Sequence, residues 1–353
     1  MHYLGIDVGK KSSAFYVTND AGCVAKGVIP TSAKSASDLV KELNTLQEGV
    51  EVAIEAGNTT FELARAMEAA GATVFVIHPR DNAIIALSRK KTDGIDAKTL
   101  ADQVRRKLLP NQMVHVPSVA IEDLRHLVGT REALVTKRVA TTNQVLHILS
   151  RYSRFPAKRA FKTAIAWTRL AENLDDLRTA DQVIVGGHAR QALLLCHQIR
   201  ELERAIEQRV SQSFADEAEL LRSIPGCGPV VTSSIIAWCH PITRFGSARH
   251  FASYAGLTPS VRRSGARLVN GGTSRSGNRH LGRNFVQAAL NFVVHSDEGH
   301  ELRQWHERVR LKRGWKRARV ALGRKLAATA YGVLRHRRPY DPNHVAQTLR
   351  KGS

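Results

Sequence analysis

At 353 residues, 43% of them apolar, the chain is long enough to build sizeable cores in roughly two or three domains. Lys and Arg outnumber Asp and Glu by 53 to 31, a formal charge of +22 at pH 7. That excess is too large for an ordinary soluble enzyme and asks for a polyanionic partner, nucleic acid before a membrane surface. No apolar run reaches the length of a membrane span.

The charge is unevenly spread. Residues 1–110 carry 14 Lys/Arg against 13 Asp/Glu, whereas Arg262 to Arg338 holds 19 against 4. Acidic chemistry and basic surface therefore occupy different parts of the chain, as in a catalytic module joined to a module that grips nucleic acid. Cys23, Cys196, Cys227 and Cys239 form no CxxC pair and no zinc spacing. Met1-His2-Tyr3-Leu4 runs directly into an apolar strand pattern with no signal peptide. Both features point to a reducing cytoplasm.

In chain order, Tyr3 to Gly9 reads as a buried strand interrupted by Asp7, a carboxylate that is costly there unless paired or bound to a metal. Ser13 to Thr18 and Cys23 to Ile29 continue it as an antiparallel meander. Ser37 to Leu46 has helical periodicity, with Leu39, Val40, Leu43 and Leu46 on one face. Glu51 to Gly57 is a strand ending in Glu55, Thr60 to Ala70 a helix stopped by Gly71, and Thr73 to Ile77 another strand. Ile84 to Ser88 leads into Lys91-Thr92-Asp93-Gly94-Ile95-Asp96-Ala97-Lys98, which continues as a helix to Lys107. The order βββαβαβα predicts a mixed α/β sheet in the ribonuclease-H-like arrangement.

In such a sheet Asp7, Glu55 and the Asp93/Asp96 pair converge at one sheet end. Residues three apart share a helix face, so Asp93 and Asp96 can aim at one spot. Four acids so placed suit two Mg²⁺ ions roughly 3.5–4 Å apart, as in two-metal phosphoryl transfer. Each acid also has a plainer reading: Asp7 as a turn residue, Glu55 as an exposed strand end, Asp93 and Asp96 as a solvated first turn favoured by the helix dipole. Gly5-Ile6-Asp7-Val8-Gly9 also fits the phosphate loop of actin-like ATPases, although such a site has no need of the later acid pair.

Ser118 to Ser150 and His188 to Phe214 read as long amphipathic helices. Ile199, Leu202, Ile206 and Val210 form an apolar seam that suits a hairpin or a coiled coil between subunits. Arg151 to Arg159 and Phe161 to Trp167 either line nucleic acid or cover a core edge. Beyond them, Ile224-Pro225-Gly226-Cys227-Gly228-Pro229 joins two helical patterns in the manner of a helix-hairpin-helix, in which Gly226 and Gly228 let backbone N–H groups approach a phosphate. The plainer reading is a tight helix–helix turn without a ligand.

Phe251 to Gly256 is a small-residue helix, followed by a Gly/Ser/Arg loop. There Arg262, Arg263, Arg267, Arg275 and Arg279 suit phosphate contacts, and Ser264, preceding Gly265, has a sterically open hydroxyl. A loop serine is by default inert, and Ser260, Ser274 and Ser276 compete for the same role. Arg303 to Arg338 reads as a basic helix carrying Trp305 and Trp315, part of it phosphate-gripping surface.

Gly5-Ile6-Asp7-Val8-Gly9, Ile54-Glu55-Ala56 and Lys91-Thr92-Asp93-Gly94-Ile95-Asp96-Ala97 resemble the RuvC-like DEDD domain of an insertion-sequence transposase family that includes Piv-type invertases and bridge-RNA-guided recombinases. Ile224 to Pro229, Ala255-Gly256-Leu257-Thr258-Pro259, Arg263-Ser264-Gly265 and Gly277-Asn278-Arg279-His280-Leu281 resemble that family's C-terminal transposase domain. Gly282 stands where the family pattern has Arg.

The resemblance implies a RuvC-like DEDD catalytic domain over 1–115, a helical or coiled-coil connector over 116–217, and a mostly helical transposase domain over 218–353. It implies that Asp7, Glu55, Asp93 and Asp96 hold Mg²⁺, with Mn²⁺ as a substitute, and that Ser264 attacks a DNA phosphate to form a covalent phosphoserine bond. It further implies a noncoding guide RNA, double-stranded DNA at element ends and target, and a homodimer or homotetramer. The protein would work on the nucleoid of a bacterial-type cell, without a membrane. The alternatives are a RuvC-like junction nuclease with no covalent step and a non-catalytic nucleic-acid-binding protein.

Overall fold

A computed structural model describes residues 1–45, 49–79, 92–110, 113–264, 267–273 and 277–343, with the backbone alone at 259–264 and 267–273. The chain divides into two units, Met1–Ser118 and Val119–Ser353.

The first unit runs β1 (His2–Asp7), β2 (Ser12–Asn19), β3 (Gly22–Pro30), α1 (Ala33–Asn44), β4 (Val50–Glu55), α2 (Thr60–Ala69), β5 (Ala72–Ile77) and α3 (Asp93–Arg105). This is the expected order. Ile84 to Ser88 and Lys91 lie outside the described residues. The strands form one mixed sheet in the order β3-β2-β1-β4-β5. β1 pairs antiparallel with β2 and parallel with β4, and β5 is parallel to β4.

Side-chain parity along the strands sorts the two faces. Leu4 and Ile6 of β1 and Val52 and Ile54 of β4 pack with Leu39 and Val40 of α1 and Leu63 and Met67 of α2. Ala53 of β4 and Ile77 of β5 pack instead with Leu100 and Val104 of α3. Tyr3, Gly5 and Asp7 share the α3 side of β1, as Ala53 and Glu55 share it on β4. α1 starts earlier than its periodicity suggests because the Ser32 hydroxyl caps it, accepting from the Ser35 N–H at 3.1 Å.

The second unit is mostly helical. α4 (Val119–Ser150) and α6 (Thr179–Ser213) lie antiparallel, tied by Arg131–Glu203 at 2.6 Å and Arg209–Asp123 at 2.7 Å. The long helices therefore fold back as a hairpin within one chain. α5 (Ala164–Ala171) closes its far end, where Phe161 and Trp167 are buried with ring centroids 4.7 Å apart. These aromatics belong to a core and not to a nucleic-acid surface.

α7 (Ala215–Arg222), α8 (Pro229–Cys239), α9 (Ala248–Tyr254), α10 (Arg279–His295), α11 (Glu301–Arg313) and α12 (Trp315–His336) share a large core that includes Phe251, Phe285, Phe292 and Leu326. The expected single basic helix is two, broken at Gly314 with φ of 80°. The expected Gly/Ser/Arg loop is an antiparallel hairpin of β6 (Pro259–Ser264) and β7 (Arg267–Thr273). No helix among the described residues is long and apolar enough to cross a membrane.

Candidate active site

Asp7 is the last residue of β1 and Glu55 the last of β4. The parallel register pairs Ile6 with Ile54, so the two carboxylates leave neighbouring strands side by side on the α3 face. Around Glu55 the chain is pinned: Thr60 donates its hydroxyl to the Glu55 carbonyl at 2.8 Å and accepts the Gly57 N–H at 2.8 Å. Beside Asp7, the Thr31 hydroxyl donates to the Gly9 carbonyl at 3.0 Å and holds the β1–β2 turn.

Asp93 and Asp96 occupy the first turn of α3. What brings this turn to the strand ends is Gly5. A Cβ there would lie 2.0 Å from the Ala97 carbonyl oxygen and 2.5 Å from the Ala101 nitrogen. The helix backbone thus rests directly on the β1 backbone, closer than any side chain permits.

The electrostatics register the convergence. Burial, followed by the charges of Asp93, Asp96 and Glu55, pushes the Asp7 carboxyl up from 3.8 to about 6. Asp96 Oδ1 is buried and accepts no hydrogen bond. No three His, Cys, Asp or Glu side chains among the described residues close tightly enough to hold an ion. Asp93, Asp96 and Glu55 thus all stand within electrostatic reach of Asp7. An all-oxygen donor set of high negative charge with an orphaned buried oxygen suits a hard divalent cation by donor type.

In the second unit, Ser264 closes the β6–β7 ladder opposite Arg267, while Arg262 pairs with Val269 and Arg263 with Leu268. Ser260 lies in β6; Arg275, Ser274 and Ser276 lie outside the described residues. At the hairpin base the Asn278 N–H donates to the Tyr254 carbonyl at 2.6 Å, and the Asn278 side chain caps α10. Arg279 is exposed at the first residue of that helix.

Gly226 and Gly228 serve different ends. Gly226, at φ 87°, has its missing Cβ aimed at α10, 2.5 Å from the Ala288 carbonyl oxygen and 2.7 Å from the Phe292 nitrogen. Its identity is thus explained by packing. Gly228, the residue before α8, faces open space. Gly282 abuts the Ala255 carbonyl, where a Cβ would come within 2.6 Å, so an Arg at this position needs a shifted α10.

A buried network that the sequence pattern did not reveal lies at the same end of α10. His280 Nδ1 is 2.6 Å from Glu132 Oε2, and Asn284 Nδ2 donates to Glu132 Oε1 at 3.0 Å and to Ser234 Oγ at 2.7 Å. The His280 ring stacks on Trp238 with centroids 4.5 Å apart. Glu132→Ala strips a nearly buried carboxylate from two donors, and an unsatisfied buried partner costs roughly 1–3 kcal/mol. Calorimetry should show a second-unit transition lowered by several degrees, with Glu132→Gln recovering part of it.

A sheet ending in clustered acids, joined in one chain to a basic helical unit, is the setting for the matches to known proteins. A family model described as a transposase, of the DEDD type named for IS110, matches residues 4–154. A second, described as the transposase IS116/IS110/IS902 family, matches residues 218–304. The transposase for insertion sequence element IS1328 of Yersinia enterocolitica is 25% identical over 335 residues, spanning 94% of this chain and 96% of its own. That for IS1111A of Coxiella burnetii is 25% identical over 257 residues, 71% of this chain and 68% of its own. The pilin gene-inverting protein of Moraxella bovis is 29% identical over 147 residues, 40% of this chain and 45% of its own. These matches define the class as insertion-sequence transposases. Within it, both matched segments are similar to the IS110/IS116 family.

Proposed function

We propose that the protein is a DNA recombinase that cuts and rejoins strands to move an insertion sequence. The observation that carries the reading is the gathering of Asp7, Glu55, Asp93 and Asp96 at one sheet end, registered in the raised Asp7 carboxyl. The strand order β3-β2-β1-β4-β5 supports a RuvC-like, ribonuclease-H-like domain. The four acids would hold divalent metal, Mg²⁺ foremost, which when bound polarises a phosphate and stabilises the leaving oxygen.

Ser264 is the nucleophile. Its Oγ attacks a DNA phosphorus; the Oγ–P bond forms as the P–O bond to deoxyribose breaks, leaving a phosphoserine ester and a free strand end. The ester conserves the phosphodiester energy, so rejoining needs no ATP. Arg262, Arg263, Arg267 and Arg275 steady the phosphate charge. Gly228, at the open turn before α8, and Arg279, exposed on α10, add backbone phosphate contacts, with Gly226 shaping the helix-hairpin-helix turn. Double-stranded DNA is the substrate, a noncoding RNA the guide to the joined sites, and a homodimer or homotetramer the working assembly.

Ser264→Ala is expected to abolish covalent protein–DNA adducts while DNA binding persists within about twofold, because a hydroxyl adds little to a grip dominated by phosphate–cation contacts. Adducts of unchanged yield reject the serine assignment. Strand breakage that depends on Mg²⁺ and on Asp93 but yields no adduct would favour a water-using junction nuclease instead.

A further inference from the structure

The α11–α12 corner carries a concentration of charge and apolar surface for which the recombination steps above name no particular ligand. It lies beyond both matched segments, 4–154 and 218–304. From Arg308 to Lys325 the sequence has nine Lys and Arg and no acid. Three of the nine have local partners: Arg310 pairs with Glu307, Lys325 lies over the Trp305 ring at 4.8 Å, and Arg319 lies 6.0 Å over Trp315. The other six, Arg308, Lys312, Arg313, Lys316, Arg317 and Arg324, are exposed and have no acid partner among the described residues.

Two of these cations sit where the backbone disfavours them. Lys316 and Arg317 occupy the first turn of α12, which has no acid and no side-chain cap. Its free N–H groups and the positive end of the helix dipole already point outward there. Cations at that end are unfavourable in the free protein and are relieved by an anion. Arg319 Nε nearby is buried without a partner.

The apolar half of the patch is equally specific. Trp315 is 45% exposed and Leu311 is 74% exposed, one on each side of the turn at Gly314. The Trp315 ring is braced edge-on by His306 at 5.9 Å, in addition to the Arg319 contact. A braced, half-exposed indole whose chain neighbours Arg313, Lys316 and Arg317 are unpaired cations offers stacking and charge together. A duplex presents phosphates but keeps its base faces stacked; an unpaired strand presents both.

We propose that the Leu311–Arg317 corner binds single-stranded DNA, with a base stacked on Trp315 and its flanking phosphates on Arg313, Lys316 and Arg317. The choice of DNA rests on the recombinase reading, in which strand exchange exposes unpaired DNA.

The test uses the full chain in chelator. Binding of labelled oligodeoxythymidylate about 20 nucleotides long is compared with a DNA duplex and an oligouridylate of equal length, and with phosphatidylglycerol vesicles. Trp315→Ala should weaken single-strand DNA binding about tenfold, with Trp315→Phe retaining most of it and duplex affinity held within about twofold. Replacing Lys316 and Arg317 by Gln should flatten the salt dependence of single-strand binding by about 0.7 log units per log unit of salt for each charge removed. An unchanged melting transition shows that the half-exposed Trp315 is not structural.

Equal losses for duplex and single strand, or no loss, overturn the stacking site. Tighter Trp315-dependent binding of oligouridylate overturns DNA as the occupant, and Trp315-dependent capture by vesicles with none by DNA overturns nucleic acid altogether. Chelator silences metal-dependent chemistry, so this outcome is independent of whether Ser264 forms adducts.

Discussion

Asp7→Asn is expected to lower Mg²⁺-dependent strand breakage by about a thousandfold and, in the same protein, to raise stability without metal. The activity loss follows from removing one oxygen ligand and one charge from a site whose ion would supply several kcal/mol of transition-state stabilisation. The stability gain follows from the raised Asp7 carboxyl. Its folded value of about 6 stands above the ordinary 3.8, so the folded state holds the proton more tightly than the unfolded chain between those limits. Below pH 3.8 the group is protonated in both states and the folded protein keeps that advantage. As pH climbs through about 6 the advantage is lost, because the folded state must then carry an ionised Asp7 that is partly buried and faces Asp93, Asp96 and Glu55.

Asp7 is partly exposed, so solvent screening reduces the full cost of the shift to about 1 kcal/mol. Asn cannot ionise and escapes it. In chelator at pH 7.5 the Asn variant should therefore melt above the native protein, and the two should converge near pH 4. Adding Mg²⁺ should reverse the order by stabilising the native protein alone. A variant less stable than the native protein at pH 7.5 in chelator would falsify the convergence of the four acids.

Much of this site was legible beforehand because it depends on local rules. Strand alternation fixes that residues 5 and 7 share a face, and the βββαβαβα order places the ends of β1 and β4 together. The i, i+3 spacing puts Asp93 and Asp96 on one side of a helix. What escaped the sequence depends on distant partners. Glu132 and His280 are 148 residues apart, and no local pattern announces a carboxylate that waits for a histidine on another helix. Val261, Leu268 and Val269 are too few among Gly, Ser and Arg to signal strands, so the β6–β7 hairpin read as a loop. Phe161 and Trp167 sit among basic residues, which leaves a nucleic-acid surface and a core edge equally open, and it takes α5 and the tips of α4 and α6 to bury them. Gly5 was visible, but as part of a Gly-x-Asp-x-Gly turn signature; that it is a contact point for a helix nearly a hundred residues later needed the fold.

Gly5 consequently makes the sharpest separation between having the acids and positioning them. In Gly5→Ala the new Cβ meets the Ala97 carbonyl oxygen and the Ala101 nitrogen, with Leu100 Cβ at 2.9 Å. Two of these are backbone atoms of α3 and cannot swing aside, so the helix must move off the sheet or β1 must bend. Overpacking of this kind costs about 3 kcal/mol, which urea denaturation should show as a lowered midpoint. A displacement of α3 by about 1 Å carries Asp93 and Asp96 away from Asp7, and misplacement on that scale costs roughly a hundredfold in rate. The Asp7 carboxyl should fall back toward its ordinary range as its two helical neighbours recede.

Gly94→Ala supplies the contrast. Gly94 lies between the two helical acids but has nothing within 4 Å of its missing Cβ, and Ala is the better helix former by up to about 1 kcal/mol. That variant should be at least as stable as the native protein and keep its strand-breakage rate within a few-fold. If Gly5→Ala and Gly94→Ala behaved alike, the acids would owe their placement to something other than the seating of α3 on β1. If they diverge as expected, one absent methyl group sets the distance at which the four carboxylates work.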